Sequence, residues 1–315
     1  VLPAVGVFLL TYWWYVARSV GEEIYPVVVE PETVEDQLQN PPSNLSSLFQ
    51  LGAAETLGEI KSGGSVSAVS MMREVQKQRP DLLTYGEDDQ IPQGSDQGIR
   101  QVADGSLDMS ISSRALRRSD PYGLNAVPIA RDAIAVVVHR DNPLTSITRA
   151  ELEKIYTCQV NSWKEIDPAW DEGANGIDVY NRHPSSGTQQ VFKEIVLGEN
   201  DFCRESQNSG EGGLSFTTWE QDETTSVLQK MGEYGIYYAS LNHVINDSSV
   251  KILRIDNIPP NAETTVGNIY PLMRELYVVA PQQTFQKVID FIDYMVSPEG
   301  QEIVRQFHIP IYKLE

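Results

Sequence analysis

The chain has 315 residues, which is enough for two domains or for one large domain with a substantial core. Its 24 basic and 44 acidic side chains give a formal net charge of −20 at pH 7, and this excludes a protein that binds nucleic acid through a basic face. The 41% hydrophobic and 22% charged content is typical of a folded protein. Two cysteines exclude an all-cysteine zinc site, and the four histidines are not spaced as a helical pair, so we expect no metal and no other cofactor.

The first segment of the chain is apolar. Residues 1–17 carry no charged side chain and contain an aromatic cluster at Tyr12–Tyr15. As a helix the segment would be about 26 Å long, close to the ~30 Å of a membrane's hydrocarbon core, and aromatic side chains suit the membrane interface. We expect residues 1–18 to form a transmembrane anchor, with a cleaved signal peptide and a buried helix as the alternatives.

An acidic, proline-containing stalk is predicted at residues 19–55. Residues 19–60 contain eight acidic side chains and neither Lys nor Arg. Such a segment repels itself and stays extended, although its weak apolar patches can pack against another surface. The lack of basic residues is compatible with a stalk and a body outside the cytoplasm, in a periplasm or the extracellular space.

From residue 56 onward, short apolar runs alternate with helical patterns, as in α/β folds. Strands are predicted at 133–138, 251–255 and 276–280. Helices are predicted at 67–78, 97–103, 149–156, 188–197, 224–231 and 284–305, the last of them broken near Ser297–Pro298.

Three turns rich in Gly and Ser each precede a predicted helix, at Gly63–Ser67, Gln93–Gly98 and Arg182–Thr188. The first N–H groups of a helix lack partners, Gly allows close approach of a ligand, and Ser or Thr adds a hydroxyl donor. Arg182 adds a permanently charged fork that suits an oxyanion. Each turn alone is an ordinary helix cap, whereas three together favour an anion site, and the residues themselves leave both interpretations open.

The same residues also resemble a known family. Gly94–Ile99, Asp104–Asp108 and Ile111–Arg114 begin an ordered series that resembles the PstS-like periplasmic phosphate-binding proteins. The series continues with Ile155-Tyr156, Asn161–Trp163, Arg182–Thr188, Gly235–Ser240, Tyr270–Leu272 with Arg274, and Ser297–Gln301. The resemblance covers about residues 58–312.

The resemblance implies a two-lobed type II periplasmic-binding-protein fold, in which two hinge crossings join α/β lobes that close on a ligand. Lobe one would comprise residues 56–133 and 266–315, and lobe two residues 134–265. The implied function is capture of inorganic phosphate, or a similar tetrahedral oxyanion, for an ABC permease, without catalysis. The alternative is an accessory or scaffold subunit of another membrane complex, and in both cases the N-terminal helix would hold the protein at the membrane.

The ligand-binding residues follow from the resemblance by position. They are Ser65, Val66, Ser67, Ser95, Ser112, Ser113, Arg114, Arg182, Ser186, Gly187 and Thr188.

Three positions depart from the family pattern. Val66 stands where many members have a hydroxyl residue. Ser113 stands where some phosphate binders have an Asp that accepts the ligand's proton, and this change shifts the preference toward a fully ionised anion such as sulfate. Asp96 lies in the second turn, where a small neutral residue is usual. Pointing inward, it would oppose an anion unless it accepted the ligand's proton; otherwise it faces solvent or caps the helix.

Other features permit two readings each. Cys158 and Cys203 are either bridged, as an oxidising compartment allows, or two buried free thiols. The basic cluster at 114–118 either edges the ligand cleft or is a solvated face. A serine hydrolase is disfavoured because the loop around Ser186 lacks the Gly-x-Ser-x-Gly context.

Overall fold

The structure is a computed structural model that describes residues 38–41, 48–52, 60–83, 94–170, 176–204, 213–219 and 224–314. The anchor predicted at residues 1–18 and much of the stalk predicted at 19–55 lie outside these ranges. Within the described ranges, no helix has the length and hydropathy needed to cross a membrane.

The strands are β1 (Gln50–Leu51), β2 (Ser62–Gly64), β3 (Met109–Ser112), β4 (Leu124–His139), β5 (Ser146–Ile147), β6 (Asp178–Asn181), β7 (Ser215–Thr218), β8 (Gly235–Ser240), β9 (Val250–Ile252), β10 (Arg254–Ile255), β11 (Met273–Pro281) and β12 (Gln283–Thr284). The α-helices are α1 (Val69–Gln78), α2 (Ser95–Ala103), α3 (Arg149–Tyr156), α4 (Gly187–Phe192), α5 (Thr224–Lys230), α6 (Leu241–Val244), α7 (Ala262–Val266), α8 (Gln286–Val296) and α9 (Pro298–Phe307). Short 3-10 helices span Val66–Ala68 and Trp163–Glu165, and a π-helical turn, Lys193–Leu197, follows α4.

One long strand connects two groups of strands. The order across them is β2-β3-β11-β4-β8-β6-β7, with β9 also paired to β4. The first part of β4, Leu124–Ala133, pairs antiparallel with β11, whereas Ile134–Val138 pairs antiparallel with β8. The pairs β2–β3, β6–β7 and β6–β8 are parallel. Because β4 is shared, residues near 132–134 lie where the chain passes from one strand group to the other.

Each strand group has its own hydrophobic core. The first core packs α1, α8 and α9 against β3, β11 and the start of β4, and Met71 and Met72 on α1 are fully buried there. The second core packs α3 and α4 against β6, β8 and the end of β4, around Tyr156 and Trp163. Burial of large apolar side chains on both sides is the main stabilising contribution to such a structure.

The helix boundaries follow local capping rules. Thr148 and Glu151 form a reciprocal capping box at the start of α3, which confirms the predicted helix. The predicted break near Ser297 is also confirmed, since α8 ends at Val296 and α9 begins at Pro298, where the missing N–H costs nothing. The Ser297 hydroxyl accepts a hydrogen bond from the Gly300 amide at 3.3 Å and caps α9.

Parts of the predicted stalk pack against the body of the protein. The β1 strand pairs in parallel with β12, and the Gln39 amide donates to the Ile311 carbonyl at 2.8 Å. Leu38 and Phe49 are buried, with Phe49 in the first core. Leu38 and Phe49 of this acidic segment therefore pack against the body of the protein.

Cys158 and Cys203 are joined by a disulfide, with their Cα atoms 5.5 Å apart. The bridge ties the residues after α3 to the segment that follows the π-helical turn. In addition, the Cys203 amide donates to the Tyr156 carbonyl at 2.8 Å, so the backbone and the disulfide hold the same junction.

Candidate functional site

The first Gly-Ser turn leads from β2 into the 3-10 helix before α1. Gly64 has a φ of 105°, a left-handed conformation that favours glycine, and an added Cβ would collide with the Ile111 backbone. Ser65 caps the helix because its hydroxyl accepts from the Ser67 amide at 3.2 Å, and both serines are buried. Val66 is half-buried and contributes no hydroxyl at this turn.

The second turn places a buried serine at the start of α2. Gly94 has a φ of 94°, and a Cβ there would lie 2.5 Å from the Ser185 carbonyl oxygen, so this turn closely approaches the third one. The Ser95 hydroxyl accepts from the Ser113 amide at 2.9 Å. Ser95 therefore links the second turn to the end of β3.

The third turn contains a buried arginine that contacts hydroxyl groups. Arg182 follows β6 and is 1% exposed. Its Nε donates to the Ser186 hydroxyl at 3.0 Å, and its Nη1 donates to Thr224 Oγ1 at 3.1 Å and to the Tyr237 hydroxyl at 2.6 Å. The side chain is thereby fixed from three elements, and burial strengthens the field of its charge.

The three turns meet in one buried place. A Cβ on Gly187 would collide with Ser95 Oγ and would lie 3.0 Å from the Ser113 Cβ. The Ser67 and Thr188 hydroxyl oxygens are 3.5 Å apart. The predicted site residues brought together here are Ser65, Ser67, Ser95, Ser113, Arg182, Ser186, Gly187 and Thr188.

Ser65 and Ser113 are joined by a hydrogen bond between their hydroxyls, in which either oxygen can be the donor. Both side chains are buried. Since each hydroxyl has one proton and two lone pairs, the pair can either donate to a ligand or accept from it. The hydrogen bond between Ser65 and Ser113 can therefore run in either direction, whereas the Ser186 hydroxyl must accept from Arg182.

Arg114 and Ser112 have different surroundings from the rest of the predicted site. The Arg114 guanidinium donates to Asp96 Oδ1 from Nη2 at 2.5 Å and to both carboxylate oxygens of Asp120 at 2.7 and 2.8 Å. The Ser112 hydroxyl donates to the Arg114 carbonyl at 2.7 Å. Two carboxylates thus more than compensate the single positive charge of Arg114, and the Asp96 carboxylate is engaged in this ion pair.

The pKa values of this ion-paired group shift in the directions that pairing requires. Burial opposes ionisation of both Arg114 and Asp120. Asp120 and Asp96 together outweigh it for Arg114, whose pKa is raised, and Arg114 and Arg117 together outweigh it for Asp120, whose pKa is lowered. Gln190 extends the group, since its Nε2 donates to Asp96 Oδ2 at 2.6 Å. Arg117 donates to Gln190 Oε1 at 3.0 Å.

A buried ionic cluster next to the turns was missed in the sequence. Arg274 on β11 donates from Nε and Nη2 to Asp132 Oδ2 on β4, at 3.0 and 2.7 Å, and Ser240 donates to the same oxygen at 2.7 Å. The His308 Nδ1 lies 3.7 Å from Asp132 Oδ1, and its Nε2 donates to the Ser67 carbonyl at 3.2 Å. A charged residue directly before the apolar run of β4 was the available signal, because a buried carboxylate needs a partner.

Burial would raise the pKa of Asp132, but the charge of Arg274 together with His308 and the Ser240 hydrogen bond outweighs burial and holds this pKa well below its usual range. Nearby, burial and the charge of Arg182 lower the pKa of His243 to about 4. In the described part of the chain, no three His, Cys, Asp or Glu side chains are grouped closely enough to hold a metal ion.

Comparison with known proteins gives consistent relatives. The phosphate-binding protein PstS of Borreliella burgdorferi is 29% identical over 219 residues, which cover 68% of this chain and 76% of that protein. PstS of Pseudomonas aeruginosa strain PAO1 is 27% identical over 222 residues, so this chain spans 64% of that relative's length, just under two thirds.

Solved structures agree with these relatives. A protein from Clostridium perfringens, assigned to a phosphate ABC transporter as its substrate-binding protein and solved with bound phosphate, has a TM-score of 0.64 at 26% identity, covering 80% of this chain and 99% of that one. PstS from Borrelia burgdorferi has a TM-score of 0.53 at 25% identity with the same coverage. The predicted mixed α/β fold of type II periplasmic binding proteins is thereby confirmed.

The PBP superfamily domain matches residues 51–299, which is more than half of the chain. The ordered motifs, the two strand groups joined by β4 and the PstS relatives all agree with this match. The chain therefore belongs to the PBP superfamily and is similar to the PstS phosphate-binding proteins.

Proposed function

We propose that the protein captures a tetrahedral oxyanion where the three turns meet. The observation that carries this proposal is the convergence of Gly187 and Thr188 on Ser95 and Ser113, with Arg182 fixed at the same loop. Buried hydroxyls donate hydrogen bonds, and a guanidinium supplies charge and a planar fork, which together compensate the desolvation of an anion. Val66 would contribute only its backbone N–H.

Phosphate is the first ligand to consider, because the relatives are named as phosphate-binding proteins. Sulfate is the second, because Ser113 replaces the carboxylate that accepts a ligand proton in some phosphate binders. The Ser65–Ser113 pair supports binding of either anion, since its hydrogen bond can run in both directions.

Arg114 has a supporting role in this proposal. Its charge is matched by Asp96 and Asp120, so we propose that it holds the segment after β3 in place and does not contact the anion. Ser112 is part of the same support through its hydrogen bonds with the Arg114 backbone.

We further propose that the two strand groups are the lobes of a receptor that closes on its ligand, with lobe one at 56–133 and 266–315 and lobe two at 134–265. The separate cores and the shared strand β4 support this division. The relatives support a role outside the cytoplasm, delivering the anion to an ABC importer. Membrane tethering through residues 1–18 remains part of the proposal.

Calorimetric titration of the full chain with phosphate, and then with sulfate, tests the proposal after extensive dialysis has removed carried-over ligand. We expect saturable binding of at least one of the two anions with a stoichiometry of one per chain. Nitrate serves as a planar control anion that should not bind. Failure of both tetrahedral anions to bind a protein that is folded by circular dichroism would overturn the proposal.

A further inference from the structure

Arg274 connects the point where the strand groups join to two hydroxyls of the anion site. Its guanidinium is anchored on Asp132, its register partner on the neighbouring strand β4, and both side chains are at most 4% exposed. Such a buried and charge-matched pair has little freedom to move, since separating it would leave two unpaired charges.

The other edge of the same guanidinium reaches the turns. Nη1 donates to Thr188 Oγ1 at 2.6 Å, and Nη2 donates to Ser67 Oγ at 2.8 Å. A guanidinium carries donors only, so both hydroxyl oxygens must accept these bonds. The single proton of each hydroxyl is then directed away from Arg274.

We propose that Arg274 is a positioning residue that makes the Ser67 and Thr188 hydroxyls donors toward a bound oxyanion, and that it thereby selects ligand oxygens carrying no proton. The inference rests on the proposed function. Arg182 acts on Ser186 in the same way, through its Nε at 3.0 Å. A proton on the ligand can therefore be accepted only by the Ser65 and Ser113 hydroxyls, whose hydrogen bond can run in either direction.

This role predicts a change in selectivity as well as in affinity. Sulfate carries no proton near neutral pH, hydrogen phosphate carries one, and dihydrogen phosphate carries two. The wild-type site has a place for one ligand proton, so phosphate affinity should fall as pH decreases into the range of the dihydrogen form. Without Arg274, the hydroxyls of Ser67 and Thr188 can turn and accept a second proton.

The experiment compares the full chain with the Arg274→Gln variant, measuring the Kd values of phosphate and sulfate over the pH range in which phosphate changes protonation. Sulfate affinity should fall about 10- to 100-fold, as expected for the loss of charge-assisted hydrogen bonds. Phosphate affinity should fall less, so that the sulfate-to-phosphate preference changes by about tenfold. The decrease of phosphate affinity with falling pH should also become shallower.

Two further variants control for charge and folding. Arg254→Gln removes the same charge from an exposed position and should leave both Kd values unchanged. Asp132→Asn combined with Arg274→Gln avoids the unpaired buried carboxylate, and should show the same change in selectivity if Arg274→Gln alone folds poorly.

Titratable side chains near Arg274 could also make anion binding depend on pH, and sulfate binding serves as the control for them. Asp132 lies on β4, His308 follows α9, and His243 is on α6, with its pKa lowered to about 4 by burial and by Arg182. Sulfate stays a dianion over the chosen range, so any pH dependence of sulfate binding reports on the protein and can be subtracted.

The possible outcomes separate the two claims. Equal losses for both anions, with an unchanged pH dependence for phosphate, would show that Arg274 is only structural and would overturn the inference alone. A wild-type protein that binds neither anion would overturn the proposed function and this inference with it. A changed ratio with a flattened pH dependence, in both the single and the double variant, is the expected result.

Discussion

Arg114 and Arg182 are two buried arginines that family resemblance places at the same site, and their surroundings differ. Arg114 is 4% exposed and binds the carboxylates of Asp96 and Asp120. Arg182 is 1% exposed, and its hydrogen bonds to Ser186, Thr224 and Tyr237 go to neutral hydroxyls. The two arginines are similarly buried, but the described partners of Arg114 are carboxylates whereas Arg182 holds three hydroxyl groups, and we therefore propose different roles for them.

The comparison also shows how the two arginines are connected. Gln190 on α4 contacts Asp96 in the Arg114 group, and α4 begins at Gly187 in the Arg182 loop. In this arrangement the carboxylates of Asp96 and Asp120 are paired with Arg114, and Asp96 also accepts from Gln190. A strongly acidic chain can thus present a site for an anion, because local donors act at hydrogen-bond distance and remote surface charge is screened.

The largest expected effect is on Arg182. We expect Arg182→Ala to weaken anion binding by about 2–5 kcal/mol, since a truncated charge pair leaves the buried anion without its partner. Arg182→Lys should restore only part of the affinity, because lysine keeps the charge and loses the planar fork. Competition binding at equilibrium measures both variants, with Arg254→Ala as the exposed control. Undiminished affinity in Arg182→Ala would contradict the comparison.

The second prediction concerns Arg114, whose removal should lower the stability of the protein and leave its affinity for the anion nearly unchanged. Arg114→Ala should lower the free energy of unfolding by about 1–3 kcal/mol, because Asp96 and Asp120 lose their hydrogen-bonded counterion. The anion Kd should change by less than about threefold. Urea unfolding measures the first effect, and the same titrations measure the second. A loss of affinity without a loss of stability would place Arg114 at the ligand.

The third prediction concerns the pH dependence of the stability contributed by the ion pair between Arg114 and Asp120. The pKa of Asp120 is lowered from 3.8, since the bonds from Arg114 and the Arg117 amide outweigh burial. A lowered pKa in the folded protein adds stability that is present above pH 3.8 and is lost as pH falls through the folded value. The difference in Tm between wild type and Arg114→Ala should therefore shrink below pH 3.8, and a constant difference would contradict this.

The smallest expected effect is on Gln190. Its amide bridges Asp96 and Arg117, so Gln190→Ala should weaken anion binding by about 0.5–1.5 kcal/mol through a less well-fixed start of α4. Gln306→Ala, an exposed glutamine on α9, is the matched control and should leave binding unchanged. If both variants bind equally well, the two arginine groups are independent.

Local patterns explain which parts could be predicted. The turns at Ser65, Ser95 and Ser186 are visible in sequence because Gly, Ser and a following helix lie within a few residues of one another. The α8–α9 break was visible for the same reason, since Pro298 acts on its immediate neighbours.

The position of Asp132 before an apolar run indicates that it needs a partner, but the partners Arg274 and His308 cannot be predicted, because they come from β11 and the end of α9 and meet Asp132 only after the sheet has formed. The pairing of Arg114 was hidden for a related reason. A sequence does not show which of many acidic side chains in a chain of charge −20 will face a given arginine.

The proposed anion site is tested most directly by a crystal structure of the chain grown with saturating phosphate, and by a parallel crystal grown with sulfate. We expect one anion within hydrogen-bond distance of Arg182, Ser95 and Thr188, with the Arg114 guanidinium still bound to Asp96 and Asp120. An anion held by Arg114, or an anion found away from the three turns, would contradict it.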